Sequence, residues 1–197
     1  MNTVDALLSR AEISETIFRY ARGFDRMDLD MALSCFHADS VHDHGKFHGF
    51  SQDFCKYAMT LVAELDHTQH HISNVSVDLV RDGDIAHTEA YFLAYHRVGP
   101  KGWSSFSQAR PGEDVLIGGR YRDRFERRSG AWRIAHRRGI YEWSKIGPAA
   151  DNGIDQQCNY YRGRRDQTDW IYNRYQSASG QEEIRQPASP PEIKIIP

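Results

Sequence analysis

The sequence predicts an α+β fold: helices close one side of a curved antiparallel sheet and enclose an apolar cavity. Three observations carry this reading. Through the first third of the chain, apolar residues recur at helical spacing. From "HISNVSVDLV" onward the period drops to two, in long runs with short turn signals between them. Helices followed by strands is the α+β order, and a sheet covered on one face leaves room for a cavity beneath the cover.

Each element has its own signal. Residues 5–26 read as a helix, because Ile13, Ile17, Tyr20, Ala21 and Phe24 fall on one stripe. "SRAE", Ser9 to Glu12, fits a capping box, either at the start of that helix or at a break within it. "DRMD" ends the element, and Asp28 or Asp30 caps a second helix over Leu29 to Phe36. "SVHDHGKFHG" alternates like a strand and ends in turn glycines. Ser51 then caps a third helix with Phe54, Ala58, Leu61 and Leu65 on one face. Four strands follow: "HISNVSVDLV", "DIAHTEAYFLAYHRV", "EDVLIGGRYRDRFERR" and "AWRIAHRRGIYEW", with "RDGD" and "RRSG" as turns. The glycine pair in "IGGRY" reads as a bulge or bend and not as a phosphate cradle.

Residues 1–147 form one domain on this reading, and 148–197 an extension. "GPAADNG" is a linker. The aromatic stretch "QQCNYYRGRRDQTDWIYNRYQ" is expected to dock on its own core or on a neighbouring subunit. The Pro- and Ser-rich end is expected to be extended or disordered.

Composition removes several classes. The 197 residues are 40 % hydrophobic and carry a formal net charge of −2 with both signs interspersed, which fits a globular chain with no nucleic-acid arm. The cysteines Cys35, Cys55 and Cys158 are odd in number and lack a CxxC, so neither a disulfide framework nor a zinc knuckle is supported. Cys35 and Cys55 read as inert core residues. Asp5, Arg10 and Glu12 interrupt any leader-like apolar run, and no stretch is apolar enough for a bilayer. A soluble, cytoplasmic protein is expected.

The chemistry centres on carboxylates and histidines. Asp25 falls on the apolar stripe four residues after Ala21. If the helix reaches it, the carboxylate is turned away from water and needs a partner; if the helix stops a residue early, it is a solvated terminal acid. The histidines of "DHTQHHISN", His67, His70 and His71, stand at a strand mouth and are natural partners. A His–Asp pair fixes the imidazole tautomer and makes a usable general base. His70 and His71 face opposite sides. Alternation groups His71 with Val75, Val77 and Leu79 and favours it for the apolar face. A metal reading draws on His42, Asp43, His44 and His48 beside these three, but the ligand spacings of known metal motifs are missing. Phosphate and dinucleotide loops are missing as well, so neither metal nor cofactor is predicted.

The order of "RAEISETIFRYARGFDRMDLDMALSCFHADSVHDHGKFHG", "HTQHHISNVSVDL" and "GRYRDRFERRSGAWRIAHRRGIYEW" resembles SnoaL-like proteins. These belong to the nuclear transport factor 2-like superfamily, in the branch with scytalone dehydratase, hexachlorocyclohexane dehydrochlorinase and bile-acid dehydratase. The resemblance covers about residues 5–146 and implies a cone-shaped sheet closed by helices over an apolar pocket. It places the family's helix Asp on Asp25, and its strand His, through an HxxxN pattern ending at Asn74, on His70. That choice opposes the alternation argument; His70 is followed and His71 kept second. Arg137, five residues after Trp132, is implied as a stabiliser of developing negative charge. Phe24 stands where scytalone dehydratase has a tyrosine. A second pocket group falls on His96 or Tyr95, and Tyr20 and Tyr121 are phenol donors or core aromatics. Neighbouring subunits, as a homotrimer or homodimer, are implied.

The reading is a cofactor-independent lyase. His70, oriented by Asp25, removes a proton from a small apolar, aromatic or polycyclic substrate, and water or another group leaves. The alternatives are a carbon–carbon lyase releasing a small aldehyde from a lignin-like diaryl compound, an isomerase, a ligand-binding module, and the small subunit of an aromatic-ring dioxygenase. The module reading expects Asp25 in solvent and His70 out of its reach.

Overall fold

Helix α1 runs unbroken from Thr3 to Asp25. In this computed structural model, residues 2–80, 83–106, 108–149 and 162–173 are described. The Asn2 side chain caps α1 by accepting from the Asp5 N–H at 2.9 Å. The expected "SRAE" cap does not form. Ser9 lies inside the helix and is buried, where the N–H groups a capping box would satisfy already have helical acceptors. The apolar stripe is as expected: Ile13 and Ile17 are fully buried, and Tyr20, Ala21 and Phe24 nearly so. Ile13, Ile17 and Phe24 each contribute roughly 1.5–3 kcal/mol by burial.

Asp28 caps the short helix α2, Leu29–Leu33, accepting from the Met31 N–H at 2.9 Å. The helix stops before the expected Phe36, because Phe36 opens strand β1, Phe36–His44. Gly45, with φ +60°, turns β1 into β2, Phe47–Phe50. Helix α3, Ser51–Val62, buries Phe54, Cys55, Ala58 and Val62. Its cap position is Phe50, and no side chain caps it. Ser51 sits one residue inside, with its buried hydroxyl lacking a partner among the described residues. Leu65 begins the next strand and does not extend the helical face.

Strands β3 (Leu65–Leu79), β4 (Ile85–Val98), β5 (Glu113–Arg128) and β6 (Ala131–Pro148) complete a six-stranded sheet in the order β2-β1-β6-β5-β4-β3. The pairs among β3 to β6 are antiparallel, but β1 lies parallel to β6. A chain this far removed in sequence has an ample crossover for a parallel pairing, which a hairpin does not provide. The sheet is curved and unclosed, and helix α1 covers its concave side.

Bulges supply the curvature. One residue is inserted in β3 between Ser73 and Ser76, where Asn74 has φ +47°. A second irregularity falls between Gly118 and Gly119, opposite Trp143 and Tyr141. The expected bulge in "IGGRY" is therefore present. A third lies between Arg124 and Phe125, opposite His136 and Ile134.

Cys35 and Cys55 are fully buried, and burial pushes their thiols up to about 11 and about 12, consistent with inert core residues. Of the extension, residues 162–173 lie against the α1–α2 corner. The Arg22 guanidinium stands over the Tyr172 ring, and Arg26 approaches Asp169 at 3.6 Å. Helix α4, Trp170–Asn173, closes this segment. Cys158 and the Pro-rich end lie outside the described residues. Among the described residues no helix is long and apolar enough to cross a membrane.

Gly119 is a tight packing point. A Cβ there would meet the Ile140 carbonyl oxygen at 2.2 Å and the Phe92 ring at 2.7 Å. Gly119→Ala is expected to lower stability to urea by about 1–3 kcal/mol. Gly147→Ala, with nothing within 4 Å of the new methyl, is expected to change it little.

Candidate active site

Asp25 is the last residue of α1, so its carboxylate leaves the helix in line with the buried stripe. It meets β3 at a single residue. Asp25 Oδ1 is 2.7 Å from His70 Nδ1, and Asp25 Oδ2 accepts the His70 backbone N–H at 2.9 Å. Both side chains are largely shielded, at 14 % and 13 % exposure. An ionised carboxylate only accepts hydrogen bonds, so Nδ1 carries the hydrogen of this bond, and in the neutral ring Nε2 keeps its lone pair. His70 lines the main cavity.

The alternation argument for His71 fails at the bulge in β3. The inserted residue at Asn74 moves Val75, Val77 and Leu79 onto the same side as His70 and Ile72. His71 is left exposed on the opposite face and does not line the cavity.

The cavity is about 750 Å³ and lies between α1, α3 and the concave sheet. Its wall is mostly aromatic: Tyr20, Phe24, Phe54, Phe92, Trp103, Phe106, Tyr121 and Tyr141 all line it. Three histidines interrupt this wall: His70, His96 and His44. His96 stands beside His70, with ring centroids 5.5 Å apart, and its Nδ1 bonds the Thr68 hydroxyl at 2.8 Å. Burial holds His96 well below the ordinary imidazole range, with His70 and Arg165 adding to the effect. The second pocket group is thus His96. Tyr95 points to the other side of β4, where its hydroxyl donates to Asp114 at 2.9 Å. It does not line the cavity.

Arg137 does not reach the cavity either. It is fully buried, and it donates to both oxygens of Asp123, from Nε at 2.7 Å and from Nη2 at 2.6 Å. The Tyr20 and Tyr121 rings cover it, with centroids 4.1 and 4.2 Å from the guanidinium carbon. Direct contact with a leaving group is closed to it, because the two phenols stand between it and the cavity. Burial opposes its charge, but Asp123 overrides that and keeps it firmly protonated. Burial likewise pushes the Tyr20 and Tyr121 phenols upward, so both stay protonated donors near neutral pH.

His44 is the cavity residue that motif reasoning missed in this role. H-x-H alternation marked it together with His42, but as a chelating pair. Its Nδ1 edge packs on Gly139, where an added Cβ would meet Nδ1 at 2.6 Å. That Nδ1 has no partner among the described residues. Burial lowers the His44 pKa to about 3, with Arg137 and His70 contributing, so the ring is neutral near pH 7. His42 is stacked on Phe54 at 3.8 Å and is also held neutral by burial. Asp43 turns away to the other face and meets His48, His136 and Arg138. Among the described residues no group of three or more His, Cys, Asp or Glu is placed to hold a metal. Trp103 and Phe106, from the β4–β5 connection, were not legible as pocket residues, because loop residues have no period to follow.

Fold and site together define a cone-fold protein with a histidine–carboxylate pair in the wall of an aromatic cavity. The chain belongs to the SnoaL-like domain family, which matches residues 5–138. Its fold is the nuclear transport factor 2-like cone. It is similar to a candidate scytalone dehydratase of Novosphingobium aromaticivorans, at 21 % identity, TM-score 0.62, covering 76 % of this chain and 94 % of that one. It is also similar to a type 2 hexachlorocyclohexane dehydrochlorinase, at 19 % identity, TM-score 0.65, covering 78 % of this chain and all (100 %) of the other. A candidate aromatic ring hydroxylase of N. aromaticivorans superposes with TM-score 0.59 at 24 % identity, covering 74 % and 96 %. A search of the curated proteins finds no match.

The buried histidines set a pH dependence of stability. His42, His44 and His96 all have folded pKa values below the ordinary 6.5. The unfolded chain therefore takes up protons first as the pH falls through about 6.5. Stability is full above that pH and is lost as the pH drops toward the folded values. Urea unfolding between pH 7 and pH 5 is expected to show this decline. His42→Leu is expected to flatten it by up to about 1.4 kcal/mol per pH unit.

Proposed function

We propose that the protein is a cofactor-independent lyase acting on an apolar, aromatic substrate. The observation that carries this reading is the two-point clamp of Asp25 on His70, which turns Nε2 of a tautomer-fixed imidazole to the cavity. In this reading Nε2 takes a proton from a substrate carbon. The C–H electron pair becomes the new carbon–carbon double bond, and the bond to the leaving oxygen breaks. That oxygen departs as water by taking the proton back from Nε2 of the protonated His70. His96, His44 and the Tyr20 and Tyr121 phenols are the candidates to hold that oxygen by hydrogen bonds as it leaves. Arg137 acts through the phenols that cover it and does not touch the substrate. The aromatic wall and the volume of about 750 Å³ suit a substrate of one or two rings.

The same base, removing a hydroxyl proton instead, would drive carbon–carbon cleavage: the alkoxide becomes the carbonyl of a small aldehyde, the carbon–carbon pair leaves on the other carbon, and that carbon takes the proton back from His70. The cavity is equally compatible with a diaryl alcohol. The relatives named for dehydratase and dehydrochlorinase activity support elimination as the first chemistry to test. The binding-module reading expects Asp25 in solvent and His70 out of its reach, and the geometry offers neither.

Aromatic secondary alcohols and diaryl propane-type diols should be screened for alkene formation and aldehyde release. With a turned-over substrate, His70→Asn and Asp25→Asn are each expected to slow the reaction by about 10²–10⁴-fold. His71→Ala is expected to retain the parent rate. Equal activity of all three variants would remove the proposed base.

A further inference from the structure

The family match ends at residue 138, and a residue of the extension well beyond it packs beside the elements that carry the pair. Arg165, in the described part of the extension, enters between the α3–β3 turn and the end of α1. Its Nη1 donates to the Leu65 carbonyl at 2.5 Å and its Nη2 to the Val62 carbonyl at 2.9 Å. Nη2 also lies 3.2 Å from the Met27 sulfur, two residues past Asp25. Its buried Nε has no partner among the described residues. No carboxylate there lies within ion-pair distance of it either.

This is an unusual place for a guanidinium. Removing a charge from water is costly, and such groups are normally compensated by a carboxylate in contact. Here neutral carbonyls and a thioether surround it. The negative charges that offset it act at longer range and are those of Asp25 and Asp66. Neighbouring contacts fix the segment in the same place. Asp169 accepts the Arg164 N–H at 2.7 Å and faces Arg26, and the Tyr172 hydroxyl lies 3.4 Å from Asp28.

We propose that Arg165 is a positioning residue for the Asp25–His70 pair, supplied by the extension to a site otherwise built from residues of the cone. The inference rests on the proposed role of that pair. The guanidinium ties the turn before β3 to the corner after α1 and so fixes the two elements that carry the pair. Its charge also acts on Asp25 at longer range. The charged and titratable groups around the pair are Arg22 and Arg26 on α1, Asp66 on β3, His96 on β4, His44 on β1, and Arg165 and Asp169 of the extension. Arg165 approaches it from the turn side.

The test is a histidine NMR titration of the full chain, with melting temperature as a fold control. The protein is compared with Arg165→Gln, Arg165→Lys and Asp25→Asn. Losing a nearby cation favours the imidazolium, so Arg165→Gln is expected to raise the His70 midpoint measurably above that of the parent. Arg165→Lys, which keeps the charge but loses the fork, is expected to hold the midpoint near that of the parent even if the melting temperature falls. The proposal is overturned if Arg165→Gln leaves the midpoint in place while Asp25→Asn moves it; the pair then stands without Arg165. It is also overturned if the Gln and Lys variants move the midpoint equally, which marks a purely structural clamp. If Asp25→Asn moves nothing, the pair itself falls, and Arg165 has nothing to position. Should Arg165→Gln not fold, the Lys variant alone decides: a shifted midpoint counts against the charge.

Discussion

Asp25 reaches from the last turn of α1 and accepts two hydrogen bonds from one residue of β3, one from the backbone and one from the imidazole. A helix packed on a sheet by apolar contacts alone retains freedom to slide and rotate. A charge-assisted clamp with two directions removes that freedom at the point where it matters. Ionised carboxylates in shielded positions are tolerated only when their oxygens are satisfied. The need to satisfy Asp25 therefore fixes the imidazole tautomer as well as the helix. Structure and chemistry share one interaction, and disturbing it affects both.

A buried charge pair holds the middle of the same interface. Arg137 of β6 and Asp123 of β5 bond across adjacent strands, and the Tyr20 ring of α1 lies on the guanidinium. Breaking such a pair by removing one partner typically costs about 3–5 kcal/mol, since a lone charge stays buried. Its position beneath two phenols keeps the charge out of the cavity, whose surface stays aromatic.

Much of the fold was legible because hydrophobic period is a local property. The stripe on α1 and the strand pairs from β3 to β6 follow directly from spacing, and Asp25 follows from that stripe. Misreadings arose where one residue changes the count. Alternation favoured His71, but the bulge at Asn74 inverts the faces of β3. The resemblance, which does not depend on parity, selected His70, and the geometry pairs His70 with Asp25. Arg137 was found by counting from Trp132, but its burial beneath Tyr20 and Tyr121 depends on contacts between distant elements. His44 was visible as half of an H-x-H pair, and only the fold shows that its Nδ1 edge meets Gly139 while the ring faces aromatics. The Arg165 contacts span some hundred residues of sequence, and no local pattern announces them.

The central claim is that Asp25 fixes the proton of His70 on Nδ1 and leaves Nε2 free toward the cavity. Imidazole ¹⁵N shifts of His70, recorded with the ring neutral, report this directly. The predicted result is a single Nδ1–H tautomer that becomes a mixture in Asp25→Asn. An Nε2–H tautomer in the unsubstituted protein would contradict the account, because the base it requires would then have no lone pair facing a substrate.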